Sequence, residues 1–217
     1  MSRNSIALSL DLDGVLIEKE IPFQFKIFEV LKPADKRFFS LKRITDVKRE
    51  IVNESLDGIT EIISFWFQSK RKVNPNIAKA LWELKEKGIK IFGNTGRENK
   101  KNWVEMTIQT LKKGGVLDLF EKDINNNPII FFKPENISIT QSKAAAVKEL
   151  IKKYKRVVHM EDNPIDALPI AATFKDVKVI LVKDFSTNIL LWMVDMKKFP
   201  NVQITDTPLV ILKCIHY

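Results

Sequence analysis

Short apolar runs alternate along the chain with segments whose apolar residues have helical spacing. Five runs are rich in aliphatic, β-branched or aromatic residues: Ile6–Leu10, Ile89–Phe92, Ile129–Phe132, Val157–Met160 and Val177–Val182. Their lengths suit β-strands, and their nearly continuous apolar character is typical of strands buried on both faces of a sheet. The alternation predicts an α/β fold with a doubly wound, Rossmann-like parallel sheet of about five strands.

Two of the intervening segments have the three- and four-residue spacing of amphipathic helices. The apolar residues of the first are Ile77, Ala80, Leu81 and Leu84. Gly88 follows this segment and is expected to end the helix. The second helix is predicted over Ala144–Tyr154, with Ser142 as its N-cap.

The chain beyond residue 188 carries weaker signals. Leu190, Leu191 and Val194 have helical spacing. Val202–Ile204 and Leu209–Leu212 are each compatible with an edge strand or a helix, so the sequence leaves both alternatives open.

Residues 17–72 interrupt the alternation of strands and helices. They contain no convincing strand, and helix-like patterns cover Phe23–Leu31, Ala34–Asn53 and Leu56–Ser69. The insertion follows the first strand, and ligands of such sheets bind beyond the carboxyl ends of the strands. We therefore predict a core formed by residues 1–16 and 73–217, with residues 17–72 as a small helical cap over the binding site.

The composition narrows the class of protein without identifying a partner. The 217-residue chain is 45% apolar and 29% charged, which is ordinary for a soluble globular protein. Its apolar runs are too short to cross a bilayer, no secretory signal is evident, and one cysteine, Cys214, excludes an internal disulfide framework. We therefore expect a cytoplasmic protein without membrane contact. The net charge of +9 suits an anionic ligand or, more simply, lysine-rich helix surfaces.

Two aspartates separated by one residue follow the first predicted strand, within the segment Asp11–Gly14. A carboxylate at this point can attack phosphorus, and a second carboxyl group two residues later can protonate a leaving oxygen. Both also attract Mg²⁺, which prefers oxygen ligands. Gly14 permits a tight turn after the second aspartate. A simple Asp-Gly turn is the alternative interpretation of this motif taken alone.

Two other predicted strands end in polar motifs. The second strand leads into Gly93–Arg97, whose hydroxyl and backbone amides would suit phosphate oxygens. The fourth leads into Glu161–Asp166, which places three acids at one strand end and makes a candidate metal site. The alternative is that Asp162 caps the following helix.

Together, these motifs resemble those of the phosphatase branch of the haloacid dehalogenase-like superfamily. The family pattern has an apolar strand followed by DxDG, a second strand followed by Thr, then a lysine, and finally a strand that ends in an acidic cluster. The matching residues are Asp11–Gly14, Thr95 and Glu161–Asp166, and the resemblance covers roughly residues 1–16 and 73–185. It implies a phosphoryl-transfer enzyme with Mg²⁺ as its cofactor.

The resemblance also implies a role for each matching residue. Asp11 is the expected nucleophile and a Mg²⁺ ligand. Asp13 is the expected general acid and base, and its backbone carbonyl is a further expected metal ligand. Thr95 is expected to hydrogen-bond the transferring phosphoryl group. Asp162 is the expected metal ligand of the acidic cluster, with Glu161 and Asp166 supporting the metal site.

The phosphate-binding lysine has two candidates. Lys143, which follows Ser142, resembles the lysine of phosphoserine phosphatase-like members, whereas Lys133 resembles the Lys-Pro of phosphoglucomutase-like members. We prefer Lys143 because its separation from Asp162 suits the shorter spacing. The residues expected to contact substrate are Gly14, Asn94, Gly96 and Lys133.

The sequence therefore predicts a Mg²⁺-dependent phosphatase that hydrolyses a phosphate monoester through an aspartyl-phosphate on Asp11. A phosphorylated small molecule is the expected substrate, and a small cap would leave room for a phosphorylated macromolecule. One alternative is a phosphomutase with the same nucleophile and acid. Another is a basic nucleic-acid-associated protein that uses the same scaffold for binding. The sequence determines neither the substrate nor the oligomeric state.

Overall fold

A computed structural model of the chain describes residues 5–18, 65, 68–183, 191 and 194–214. The chain divides into two compact units, one formed by Met1–Glu18 with Lys72–Tyr217 and the other by Lys19–Arg71. The predicted cap helices lie almost entirely outside the described residues, so the helical cap stays a prediction. The first unit contains all the strands given below.

The described residues form one sheet of six parallel strands. The strands are β1 (Ile6–Leu10), β2 (Lys90–Glu98), β3 (Ile130–Lys133), β4 (Arg156–Glu161), β5 (Lys178–Val182) and β6 (Val202–Thr205). Their spatial order is β3-β2-β1-β4-β5-β6. The first five confirm the predicted strands, and β6 is the edge strand that the sequence had left open. The order reverses between β1 and β4, which is where doubly wound sheets bind ligands.

Helices connect the strands and cover both faces of the sheet. They are α1 (Pro75–Glu86), α2 (Lys101–Lys113), α3 (Ile139–Lys153), α4 (Pro164–Thr173) and α5 (Ile211–Cys214). Short 3₁₀ turns occur at Leu117–Leu119, Met196–Lys198 and Pro208–Val210. In α1, the Asn74 side chain accepts hydrogen bonds at the N-terminus, and Gly88 follows the helix with a φ of 84°. The predicted stop at Gly88 is thereby confirmed, since a positive φ favours glycine.

The predicted N-cap of α3 is wrong by one turn. Ser138, not Ser142, caps the helix, and it forms a capping box with Gln141. The difference has a simple cause, because the first helical residue, Ile139, is 41% exposed and does not belong to the buried stripe. The periodicity of buried residues therefore begins later than the helix itself, and Ser142 lies inside the first turns as a buried residue.

The second strand is longer than predicted. The apolar run ends near Phe92, but β2 continues to Glu98, so Gly93–Arg97 lies within the strand and not in a loop after it. Its pairing with β3 shifts register between Asn94 and Glu98. Polar residues can continue this strand because the structure buries them against polar partners, a tertiary effect that strand propensity does not contain.

Two apolar clusters, one on each face of the sheet, form the core. The first joins Leu8 and Leu10 of β1 to α1 and to Leu111 of α2. The second joins Ala7 of β1 to Val147 of α3 and to α4. Because successive strand residues face opposite sides, the same face of β1 that contributes Ala7 also carries Ser9. No helix among the described residues is long and apolar enough to cross a membrane.

Replacing Ser138, the observed N-cap of α3, should destabilise the protein more than replacing Ser142, the predicted N-cap. Ser138→Ala should lower the free energy of unfolding by about 1 kcal/mol, because the capping hydrogen bond that Ser138 Oγ accepts from the Gln141 N–H is lost. Ser142→Ala is the matched control and should change it by less than about 0.5 kcal/mol, since alanine suits a helix interior. Urea unfolding of both variants measures the difference, and the reverse ranking would contradict the assigned start of α3.

Candidate active site

The carboxyl ends of β1, β2 and β4 bring the sequence motifs together. Leu10 lies opposite Gly93 of β2 on one side and Met160 of β4 on the other. The Asp11 backbone N–H then donates to the Met160 carbonyl at 2.9 Å. Asp11 therefore stands between the second and fourth strands, at the point where the strand order reverses.

Lys143 reaches the acidic motifs from α3. Its Nζ lies 2.6 Å from Glu161 Oε2, 3.0 Å from Asp11 Oδ1 and 3.9 Å from Asp166 Oδ2. The Lys143 side chain is only 4% exposed, so water screens these interactions weakly. Three carboxylates thus converge on one buried ammonium group.

Burial and charge affect these groups differently. Burial alone would lower the pKa of Lys143, but Asp11, Glu161 and Asp166 outweigh it and raise that pKa above its usual value. Burial would also raise the pKa of Glu161, but Lys143 holds it well below its usual range. The pKa of Asp11 is raised, because burial and repulsion from Glu161 exceed the attraction of Lys143. The Glu161 carboxylate therefore balances the positive charge of Lys143, whereas the negative charge of Asp11 is only partly compensated.

The excess of negative charge fits a divalent cation. Carboxylate oxygens of Asp11, Glu161 and Asp162 lie within 4.8 Å of one another, and all three residues are buried. Asp11 Oδ1 lies 3.0 Å from Lys143 Nζ but accepts no well-aligned hydrogen bond from the described residues. Carboxylate oxygens in this arrangement are ligands that Mg²⁺ accepts, so the residues present fit the predicted cofactor.

The other two predicted metal-site acids, Asp13 and Asp166, have side-chain partners of their own. The Asp13 carboxylate pairs with Arg97, as described below. Asp166 accepts hydrogen bonds from Thr140 and, at 3.2 Å, from Asn163 Nδ2. The alternative interpretation of Asp162 as a helix cap is wrong, because Asn163 caps α4 by accepting from the Ile165 N–H.

Asp13 is held by a bidentate ion pair with Arg97. Arg97 Nε donates to Asp13 Oδ2 at 2.9 Å, and Nη2 donates to Oδ1 at 2.7 Å. The Arg97 side chain is 2% exposed and that of Asp13 is 24% exposed. Arg97 Nη1 donates to Thr107 Oγ1 at 2.9 Å, and the Thr107 hydroxyl donates to the Trp103 carbonyl at 2.7 Å. The predicted general acid is thereby tied to α2.

A buried polar network lies behind Lys143 and Glu161. Asn94 Nδ2 donates to Ser9 Oγ at 3.0 Å and to the Lys143 backbone carbonyl at 3.2 Å. Ser9 Oγ also lies 3.1 Å from His159 Nδ1, and His159 Nε2 lies 3.6 Å from Glu161 Oε2. The network links β1, β2 and β4 to α3, so it fixes the backbone of Lys143 and the side chain of Glu161.

Sequence reasoning missed Ser9, His159 and Arg97. The sequence contained a signal for Ser9 and His159. In a β-strand, a polar residue two positions before an acid points to the same face of the sheet as the acid. Ser9 has this relation to Asp11, and His159 has it to Glu161. Arg97 belongs to the second motif, but its spacing contains nothing that points to Asp13.

Thr95 and Gly96 lie on β2, and Gly14 follows Asp13 in a turn. Thr95 is fully buried on β2, and its Oγ1 accepts a hydrogen bond from the Arg97 N–H at 3.2 Å. Gly14 has a φ of 84°, which makes the turn after Asp13 easy for glycine. A Cβ on Gly96 would lie 3.0 Å from Ile139 Cγ2, so the glycine lets α3 begin close to β2.

Two residues that the sequence assigned to substrate are engaged elsewhere. Asn94 is completely buried, and its amide serves the network described above. Lys133 Nζ lies 3.2 Å from Glu98 Oε1, at the end of β3. Lys143, by contrast, is the candidate lysine that contacts Asp11.

The two candidate lysines should differ sharply in their effect on stability. Lys143→Met should lower the free energy of unfolding at pH 7 by about 3–5 kcal/mol, because buried carboxylates lose their cation. Lys133→Met should cost less than about 1 kcal/mol, since its partner Glu98 is 34% exposed. Urea unfolding measures both, and an equal or larger loss in Lys133→Met would contradict the burial described here.

The stability gap between wild type and Lys143→Met should also depend on pH. The pKa of Glu161 is lower in the folded protein than its usual 4.5, so its stabilising contribution is present above that value and is lost as pH falls below it. Without Lys143 the buried carboxylates would have raised pKa values, so acid should stabilise the variant. The difference in free energy of unfolding between wild type and Lys143→Met should therefore become smaller when urea unfolding is measured at successive pH values from 7 to 4.

No family model and no curated protein matches the chain. Several solved structures resemble it over nearly its whole length, including the following two. A Thermotoga maritima protein, provisionally described as a β-phosphoglucomutase, is 15% identical with a TM-score of 0.54, over 97% of this chain and 98% of that chain. A Burkholderia xenovorans LB400 protein, provisionally described as a haloacid dehalogenase-like hydrolase, is 13% identical with a TM-score of 0.51, over 97% and 96%. The resemblance seen in the motifs is thus confirmed for the fold, and the chain has the fold of the haloacid dehalogenase-like hydrolases.

Proposed function

We propose that the chain is a Mg²⁺-dependent phosphatase of the haloacid dehalogenase-like superfamily, which hydrolyses a phosphate monoester through an aspartyl-phosphate on Asp11. One observation carries the proposal: two carboxylates at one strand end are held in different ways. Asp11 is buried 3.0 Å from the Lys143 ammonium group, and Asp13 is more exposed and paired with Arg97. This difference suits a nucleophile beside a group that exchanges protons.

In the first half-reaction, an Asp11 carboxylate oxygen attacks the phosphorus atom of the substrate. A bond forms between that oxygen and phosphorus while the bond from phosphorus to the leaving oxygen breaks. Asp13 gives its proton to the leaving oxygen, and the alcohol departs. Asp11 then carries the phosphoryl group as a mixed anhydride, and Asp13 is a carboxylate.

In the second half-reaction, water attacks the phosphorus atom of the aspartyl-phosphate. Asp13 accepts a proton from the water as the new oxygen–phosphorus bond forms. The bond between phosphorus and the Asp11 oxygen breaks, which releases inorganic phosphate and restores the Asp11 carboxylate. Asp13 is again protonated for the next substrate, so both residues complete the cycle unchanged.

Phosphoryl transfer depends mainly on positioning and on neutralising negative charge. Lys143 is the proposed cation for this purpose, because its Nζ faces Asp11 and is fixed by Glu161. The Thr95 hydroxyl is the proposed donor to an oxygen of the transferring group. Asn94 acts indirectly in this scheme, by holding the Lys143 backbone.

Asp11 and Asp162 are the proposed side-chain ligands of Mg²⁺, with Glu161 beside them and the Asp13 backbone carbonyl as a further ligand. The bound ion would supply positive charge at the nucleophile and at the phosphoryl oxygens. The cluster of three buried acids, Asp11, Glu161 and Asp162, supports this assignment.

A phosphorylated small molecule in the cytoplasm is the proposed substrate, and a phosphorylated macromolecule is the alternative. The net charge of +9 is consistent with either anion. A phosphomutase would use the same nucleophile and acid, and the fold similarity to the T. maritima protein keeps this possibility relevant. A mutase would need a bisphosphate activator and would release little phosphate.

The wild-type protein should release phosphate from p-nitrophenyl phosphate, and from at least one member of a panel of phosphorylated metabolites, only when Mg²⁺ is present. Asp11→Asn should lower kcat by at least about 1,000-fold, because it removes the nucleophile. Asp176→Asn is the control, since Asp176 is exposed and lies outside every motif, and it should retain wild-type turnover.

Two results would contradict this function. Mg²⁺-dependent turnover that survives in Asp11→Asn would remove Asp11 as the nucleophile. A folded wild-type protein that binds Mg²⁺ but releases phosphate only with a bisphosphate activator would indicate the mutase.

A further inference from the structure

In the Arg97–Asp13 ion pair, the arginine is buried and the aspartate is partly exposed. The Arg97 side chain is 2% exposed, yet all three of its donor positions, Nε, Nη1 and Nη2, are used. Asp13 is 24% exposed and so remains open to a ligand. A rigid cation therefore holds a carboxylate that is itself accessible.

Thr107 anchors the guanidinium from behind. Its hydroxyl accepts from Arg97 Nη1 at 2.9 Å and donates to the Trp103 carbonyl of α2 at 2.7 Å, so its acceptor and donor roles are both used. A planar guanidinium with two fixed contacts has little freedom to rotate. The orientation of the Asp13 carboxylate is consequently set by α2.

We infer that Arg97 is a positioning residue for Asp13, and that Thr107 fixes Arg97 for this purpose. The inference deepens the proposed phosphatase function and rests on it. Arg97 contacts both oxygens of Asp13, so the carboxyl group that delivers the proton has a defined orientation. Misplacing a proton donor by about 1 Å can cost about 100-fold in rate.

Comparing substrates with different leaving groups distinguishes a misplaced Asp13 from a general loss of structure in a variant. p-Nitrophenolate departs without much help from a proton, whereas an alkoxide needs one. Because kcat/KM covers only the steps up to loss of the leaving group, it isolates the step in which Asp13 acts as an acid. A defect in proton delivery should therefore appear with an alkyl phosphate and largely disappear with p-nitrophenyl phosphate.

Arg97→Met should lower kcat/KM for an alkyl phosphate such as glycerol phosphate by about 100-fold, and for p-nitrophenyl phosphate by less than about threefold. Arg97→Lys should recover only part of the loss, since lysine cannot make the bidentate contact. Combining Arg97→Met with Asp13→Asn should be no worse than Asp13→Asn alone, because the two changes remove the same function.

Thr107 offers a test that keeps the arginine and its charge. Thr107→Val should reproduce the selective loss with alkyl phosphate more weakly, at about tenfold. Thr110→Val is the matched control: Thr110 is on the same helix, is 8% exposed, and bonds the Met106 carbonyl at 2.9 Å. Thr110→Val should leave the ratio of the two kcat/KM values unchanged. Thr107→Val keeps the inference testable if Arg97→Met fails to fold.

An equal loss with both substrates, or an additive double variant, would overturn the inference and assign Arg97 a purely structural role. Thr107→Val behaving like Thr110→Val would overturn the part assigned to Thr107. Failure of the phosphatase function itself looks different, because wild type would then show no turnover that depends on Asp11 with either substrate.

Discussion

The buried ammonium group of Lys143 is the interaction on which the candidate site depends. It lies 2.6 Å from Glu161 and 3.0 Å from Asp11, in a region that water hardly reaches. Removing a cation from such a cluster would leave uncompensated buried charge, which costs several kcal/mol. Lys143 does not compensate the charges of Glu161 and Asp11 to the same extent. Glu161 also accepts hydrogen bonds from two backbone N–H groups at 3.3 Å and lies near His159. Asp11 Oδ1, by contrast, faces the Lys143 ammonium group without a well-aligned hydrogen bond from the described residues. This inequality suits the proposed role of Asp11 as the nucleophile.

The two aspartates are held from opposite faces of the sheet. Lys143 comes from α3, whose Val147 packs in the cluster that includes Ala7, and Arg97 is anchored to α2, whose Leu111 packs with Leu8 and Leu10. One residue separates Asp11 from Asp13, yet each has its own cation. Without these cations, two carboxylates so close in the chain would repel each other, and each would shift the pKa of the other. In the proposed mechanism, separate cations allow Asp11 to act on phosphorus and Asp13 to exchange protons.

The strands and the motifs at their ends could be predicted because both are local. Buried parallel strands leave continuous apolar runs, and their carboxyl ends meet at one edge, so Asp11, Thr95 and Asp162 could be expected near one another. Long-range partners could not be predicted. Arg97 and Asp13 are 84 residues apart, and a motif does not encode which buried acid a distant arginine meets. The start of α3 at Ser138 and the length of β2 were misjudged for a related reason, since exposed or polar residues continue both elements without the expected periodicity.

The central claim is that Asp11 becomes phosphorylated, and chemical trapping tests it most directly. Wild-type protein would be mixed with Mg²⁺ and the best phosphate donor, quenched during turnover and reduced with borohydride, which converts an aspartyl-phosphate to homoserine. Mass spectrometry of the peptide that contains residues 11 and 13 would then locate the change. The account predicts homoserine at position 11 and unmodified aspartate at position 13. Homoserine at position 13, or turnover without reduction at any aspartate, would contradict it.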